Sequence, residues 1–245
     1  MSLPIQWLSG ETLPPHAHML CAVPGVGNVG KLVVDTLIEH GESTLLARIL
    51  SPDLPPHATL EDGLLVPPHL ALHLIESPAG PLVTLSGAGQ PMTPGGQHAL
   101  AACVLDLASQ TEGFVLVLAG LSSEPGDDSV HFTVASPEVG ASLPVETSAE
   151  QPAGGMLGLA GMLVSLGPWK EVPTVACIAA SIGTSVDVQS ADRLAKAVSD
   201  GFDLGLDLPI DNTEEQAKAL LARMEGREVA GFSLSEEDEG AGFYA

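Results

Sequence analysis

A chain of 245 residues carries 31 Asp and Glu against 8 Lys and Arg, a formal net charge of −23. That balance argues against nucleic acid or an anionic membrane as partner, because both require a basic face. Hydrophobic residues make up 45% of the chain and aromatics only 3%, so the chain can bury a sizeable core, and that core must be Leu, Val, Ala and Ile.

No apolar run reaches transmembrane length, and no basic stretch precedes an apolar one at the start, so the expectation is a soluble, cytoplasmic protein. Cys21, Cys103 and Cys177 are far apart, each inside an apolar segment, and read as buried reduced thiols. The acidity permits a basic protein partner or a life in high salt, while most of it solvates the surface.

In chain order, Pro4 to Leu8 reads as a short edge strand. His16 and His18, with Cys21 nearby, resemble part of a metal triplet, but no second ligand cluster completes it, and a solvated loop is the reading adopted. Met19 to Val23 is an apolar run followed at once by a glycine-rich turn and then by Leu32, Val33, Leu37 and Ile38 at helical spacing. That is strand, tight turn, helix, the opening of an α/β domain.

Three readings compete for the turn. Gly25, Gly27 and Gly30 spell the dinucleotide fingerprint G-x-G-x-x-G. Gly25, Gly30 and Lys31 nearly spell a P-loop, but Leu32 stands where a hydroxyl should hold magnesium. A dinucleotide site also wants an acid closing the second strand, whereas Leu45 to Leu50 runs into Ser51-Pro52 with Asp53 only beyond the proline. The third reading makes Gly25, Gly27 and Gly30 a structural turn without cofactor, with Gly30 bringing the helix close to the sheet.

Beyond the rigid Ser51 to His57 loop, Thr59 to Leu60 and Leu64 to Val66 flank Glu61-Asp62-Gly63 as a hairpin, and Leu70 to Ile75 and Pro81 to Ser86 form two more strands. A turn of small residues, Ser86 to Gln90, leads to a helix over about 97–109. Phe114 to Ala119 is the continuous apolar run of a central parallel strand, ended by Gly120 and followed by an acidic loop and a short strand at His131 to Ala135. Gly140 to Gln151 is the least structured interior stretch. Gly154, Gly158 and Gly161 then mark a buried helix packed tightly on the sheet. Thr174 to Ala180 is another buried strand, Asp187 or Ser190 caps a helix from Ala191 to Phe202, and a last amphipathic helix spans Glu214 to Glu225. The alternation predicts an α/β fold, a three-layer α/β/α arrangement with a mostly parallel sheet, as one domain over 1–227.

Residues 228–245 change character: an acid run at Glu236 to Glu239, a flexible Gly240-Ala241-Gly242, and an ending Phe243-Tyr244-Ala245. Aromatics are scarce in this chain, and two of them at a terminus suggest an anchor for a partner's pocket, with the terminal carboxylate as a fixed charge.

Several of these motifs together resemble the proteasome assembly chaperone family (PAC2-like) in its archaeal form. They are Val23 to Lys31, Ser51 to Pro56 with Glu61-Asp62-Gly63 beyond, Gly155 to Gly161, and Asp187 to Ala191. The resemblance covers about residues 20 to 227 and implies a phosphorylase/hydrolase-like α/β/α fold without a known active site. It also implies homo-oligomers that bind the proteasome's α-subunit ring, and tails that end in hydrophobic–tyrosine–any residue. Phe243-Tyr244-Ala245 matches that ending, which implies Phe243 as apolar anchor, Tyr244 as aromatic contact and Ala245 as bearer of the carboxylate that meets a lysine between neighbouring α subunits.

The function so expected is a non-enzymatic assembly chaperone or proteasome-binding protein, with no cofactor and no metal. A second hypothesis is an enzyme of the same kind of fold acting on a nucleoside, nucleotide or peptide-like substrate. No G-x-S-x-G elbow is present, and His57, Asp53 and Ser86 are the best polar candidates around a cleft. A nucleotide binder using the glycine turn is the third.

Overall fold

The computed structural model describes residues 3–61, 63–148, 155–206 and 208. Among the described residues there are ten strands: β1 (Ile5–Trp7), β2 (His18–Cys21), β3 (Ser43–Leu50), β4 (Thr59–Glu61), β5 (Leu64–Val66), β6 (His69–Ile75), β7 (Leu82–Gly87), β8 (Val115–Ser122), β9 (Val130–Val134) and β10 (Thr174–Ser181). The helices are α1 (Val29–His40), α2 (Pro94–Ala108), the short α3 (Pro137–Ser142), α4 (Gly158–Leu166) and α5 (Val188–Gly201). Eight of these strands form one sheet in the order β1-β3-β6-β7-β2-β8-β10-β9, and β4 and β5 form a separate two-stranded one.

The centre of the sheet is parallel: β7, β2, β8 and β10 pair side by side in one direction. The flanking pairs are antiparallel. Because β3 lies two antiparallel steps from β7, it shares the central direction. The alternation of side chains along each strand then feeds two cores. Met19, Cys21, Val115, Val117, Ala176 and Ile178 face the layer of α2 and α4. Leu20, Leu116, Leu118, Val175, Cys177 and Ala179 face the layer of α1 and α5. The expected three-layer α/β/α fold with its mostly parallel sheet is therefore the one observed, and the continuous apolar runs are strands covered on both faces.

One close approach sets the spacing of these layers. A Cβ added at Gly30, in the first turn of α1, would lie 2.2 Å from the Leu118 carbonyl oxygen in β8. Gly27 adopts φ +61 before the helix starts, and Gly25 is extended at φ −165, where an added Cβ would meet the Val23 carbonyl oxygen at an unstrained 4.0 Å. Turn and packing thus demand glycine at 27 and 30, while position 25 would accept another residue. Gly120 does not end β8 as expected. The strand runs on to Ser122, and the missing side chain leaves room for the Val26 carbonyl oxygen, which an added Cβ would meet at 2.3 Å.

The helix starts follow cap chemistry. The Thr93 hydroxyl accepts from the Gly96 backbone N–H, with Pro94 in the first turn, so α2 begins three residues earlier than its apolar periodicity suggests. Ser136 caps α3, a helix the sequence reading left out, through the Val139 N–H. Asp187, and not Ser190, caps α5: its carboxylate accepts from the Ser190 backbone and hydroxyl and from the Ser181 hydroxyl. Its backbone N–H also donates to the Gly27 carbonyl, which stitches the glycine turn to the start of α5. Desolvation pushes the Asp187 carboxyl up, but these hydrogen bonds together outweigh it and hold the group below the usual value. Helix α4 does pack on the sheet as expected, through Leu159 and Leu163. Its glycines serve nearer neighbours, since a Cβ at Gly161 would meet the Met156 carbonyl at 2.3 Å. The helix expected over 214–225 and the tail from 228 lie outside the described residues.

Three outcomes are expected. Gly30→Ala should cost about 3 kcal/mol or more in urea unfolding, because α1 must lift off β8, whereas Gly155→Ala, in open space, should change stability by less than about 0.5 kcal/mol. Asp187→Ala should cost about 1–2 kcal/mol at neutral pH. The native carboxyl is depressed, so its contribution is present above the unfolded value near 3.8 and is lost as pH falls through the lower folded value; stability curves of the two proteins should converge there. Burial pushes the Cys21 thiol up to about 12 and the Cys177 thiol higher still, while Cys103 is raised less, by burial and Asp106. A thiol reagent at pH 8 should therefore label Cys103 first and reach the other two only on unfolding.

Candidate functional site

In a doubly wound sheet the ligand crevice opens where neighbouring strands send their chains to opposite faces. Here that point lies between β2 and β7. The chain leaves β2 for α1 on one face and leaves β7 for α2 on the other. The walls of the crevice are the glycine turn after Cys21 and the small-residue turn after Gly87.

Three polar side chains meet beside it. The Lys31 Nζ lies 2.6 Å from Asp35 Oδ2, one helical turn away, and 3.4 Å from Ser86 Oγ. Ser86, buried at the end of β7, donates its hydroxyl proton to Asp35 Oδ1 at 3.0 Å. The lysine that a P-loop would turn toward a phosphate is thus spent on a carboxylate and a hydroxyl of its own chain. The mouth is bridged as well: the Gln90 amide donates to the Pro24 carbonyl at 3.3 Å and accepts from the Leu159 N–H at 3.1 Å. Leu32, at the hydroxyl position of a P-loop, is in the core. Chemically this is a neutralised, cross-braced junction.

The enzymatic candidates are held apart. Asp53 accepts from the Thr93 N–H at 2.8 Å and from the Thr93 hydroxyl at 3.0 Å, which ties the proline-rich loop to the start of α2. Ser86 belongs to Asp35. His57 is exposed on the surface. A nucleophile needs a base in hydrogen-bond reach and a third group to orient that base. The described hydrogen bonds do not link Asp53, Ser86 and His57 into such a chain.

His16 and His18 are not in a solvated loop, which corrects the sequence reading. His16 is buried; its Nδ1 bonds the Pro14 carbonyl and its Nε2 bonds the Thr111 hydroxyl, both at 2.8 Å. His18 accepts from the Phe114 N–H at 3.1 Å and stacks on the Phe114 ring, with Phe202 edge-on. Desolvation lowers both imidazole pKa values, and the neutral ring this favours is the one His18 needs to accept from Phe114. Among the described residues, no three His, Cys, Asp or Glu side chains are placed to hold a metal ion. Also among them, no helix is long and apolar enough to cross a membrane.

Two features escaped the sequence reading. The Lys31–Asp35 pair was visible as an i, i+4 spacing on α1, but Ser86 joins it only through the placement of β7. The β4–β5 hairpin is the one expected from the sequence; what escaped is that its leucines face solvent, Leu60 at 71%, Leu64 at 69% and Leu65 at 76% exposed. Phe243, Tyr244 and Ala245 lie outside the described residues.

The model of the PAC2 family matches residues 19–227. An uncharacterized protein of Methanocaldococcus jannaschii is 23% identical over 218 residues, covering 87% of this chain and 81% of that protein. Among solved structures, Pyrococcus furiosus PbaB, an archaeal proteasome activator, superposes with a TM-score of 0.73 at 20% identity, over 91% of this chain and 99% of its own. Pyrococcus furiosus PbaA, an archaeal homolog of proteasome-assembly chaperone, gives 0.72 at 20% identity, over 93% and 99%. These structural likenesses concern the fold. The family match spans most of the length, from the central strand β2 past the end of α5, and so this chain belongs to the PAC2 family.

Proposed function

We propose that the protein is a non-enzymatic proteasome assembly chaperone or proteasome-binding protein that docks its C-terminal tail between proteasome α subunits. The observation that carries this reading is PAC2 membership together with a fold shared with a proteasome activator and with a homolog of a proteasome-assembly chaperone. The crevice supports it from the other side. Where an α/β enzyme would present free polar groups to a substrate, Lys31, Asp35, Ser86 and Gln90 are committed to one another and to the backbone.

The ending Phe243-Tyr244-Ala245 supplies an apolar anchor, an aromatic contact and a carboxylate. A single short tail binds weakly, because its few contacts must offset the entropy of ordering it. A homo-oligomer in the cytoplasm would present several tails to a ring of α subunits, and linkage of that kind raises avidity by ~10²–10⁴.

Binding of purified proteasome α subunits by the intact protein and by a form lacking Phe243 to Ala245 tests the reading. The intact form should bind, and the truncated form should lose on the order of 100-fold in affinity, more than one tail's contacts supply. Equal affinity would move the interface to the folded part, and failure of the intact form to bind would sink the proteasome assignment.

A further inference from the structure

The two helical layers differ in charge. Helices α1 and α5 carry four acids, Asp35, Glu39, Asp192 and Asp200. Helices α2 and α4, with the helical turn Gly167–Lys170 that follows α4, carry one, Asp106, in a chain that has 31. Lys170 Nζ lies 2.7 Å from that carboxylate, so the layer is neutral as well as poor in charge.

Helix α4 is apolar all round. Its polar side chain, Ser165, donates its hydroxyl proton to the Gly161 carbonyl at 2.7 Å, back into the helix. A helix of that kind belongs in an interior, yet α4 lies in an outer layer. Leu159 and Leu163 reach the core, while Ala160, Met162 and Leu166 are only partly covered. Leu157, just before the helix, is 63% exposed, and Trp169, just after it, is 85% exposed. Helix α2 runs alongside in the same direction, tied by Gln90 to Leu159 at one end and by Asp106 to Lys170 at the other. Ala99 and Ala102 of α2 are partly exposed and too small to hold another helix at a distance.

Charge chooses the occupant. Two copies of a chain with a net charge of −23 repel each other wherever their acids project. At the α2–α4 layer they can touch without bringing acids together. A basic partner gains on the acidic faces and gains little here, where the lone carboxylate already has its cation. Interfaces between like chains are the more apolar class, with charge depleted at the centre and Trp enriched among the residues that carry the binding.

We propose that the outer face of α2 and α4 is the surface through which two copies of this chain associate, with Leu157 and Trp169 as its anchors. The proposal rests on the homo-oligomer of the function proposed above and assigns that oligomer its contact. A single patch that meets itself generates a two-fold axis, so each copy contributes the same residues.

The test is the mass of the full chain by light scattering, with no proteasome subunit present. The intact protein should exceed the 25.0 kDa of one chain. Leu157→Ser with Trp169→Ser removes the anchors, and Ser165→Glu puts like charges into the contact; each should weaken association at least about tenfold. All these positions are exposed, so both variants should keep the intact protein's circular dichroism. Leu65→Ser, on the hairpin, should leave the mass unchanged. Raising salt from about 0.1 to about 1 M should tighten association, because it screens the acids that lie outside the contact. A monomeric intact protein would overturn the proposal, as would unchanged mass in both α4 variants, a loss of mass in Leu65→Ser alone, or weakening by salt. Binding of α subunits is read separately. An oligomer that binds none refutes the proteasome reading and leaves this face standing, whereas a monomer that binds them refutes the face and leaves that reading.

Discussion

Everything in this molecule is measured from the contact between Gly30 and the Leu118 carbonyl. A helix can approach a sheet this closely only where it has no side chain, and α1 does so in its first turn. That contact places Lys31 beside Ser86 and brings the glycine turn over Gly120 and against the start of α5. The turn therefore has a structural explanation that needs no ligand. It holds the central strand, two of its neighbours and two helices in register, with Gly30 against the Leu118 carbonyl and Gly27 against the Ser181 hydroxyl.

The parts legible in the sequence were those in which local chemistry and tertiary demand agree. Strand β2, its turn and α1 announce themselves by a change of period from continuous to helical. The run Phe114 to Ala119 is apolar without alternation because two cores need it. Asp187 reads as a cap because it precedes an amphipathic stretch, and the carboxylate does cap. What stayed illegible depended on distant partners. Gly120 looks like a strand terminator until Val26 is seen against it. His16 and His18 look solvated because both are polar, yet Thr111, Pro14 and Phe114 satisfy them inside the protein.

The hairpin leucines show the converse case. Leu60, Leu64 and Leu65 carry the residue type of a core and the neighbours of a turn, and only the separation of β4 and β5 from the main sheet shows them exposed. The crevice follows the same logic. Ser86 and Asp53 are both near the C-terminal end of the sheet, where catalytic groups collect in α/β folds, and each is already bonded to a different element. Position in a fold confers opportunity; the free valences of the side chains decide whether it is used.

The order of strands in the sheet has a consequence for how the chain comes off the ribosome. β2 is made well before both of its neighbours, β7 and β8, and β8's other partner β10 comes later again. At ~5–20 residues per second, the ~60 residues separating β2 from the first of these neighbours, β7, take roughly 3–12 s to emerge. Throughout that interval Met19, Leu20 and Cys21 sit on a strand with no companions, and the seed of the fold cannot form by local contacts alone. The nascent chain must be kept from pairing with other strands while it waits, and its own negative charge, through repulsion between chains, is one means already present in the sequence.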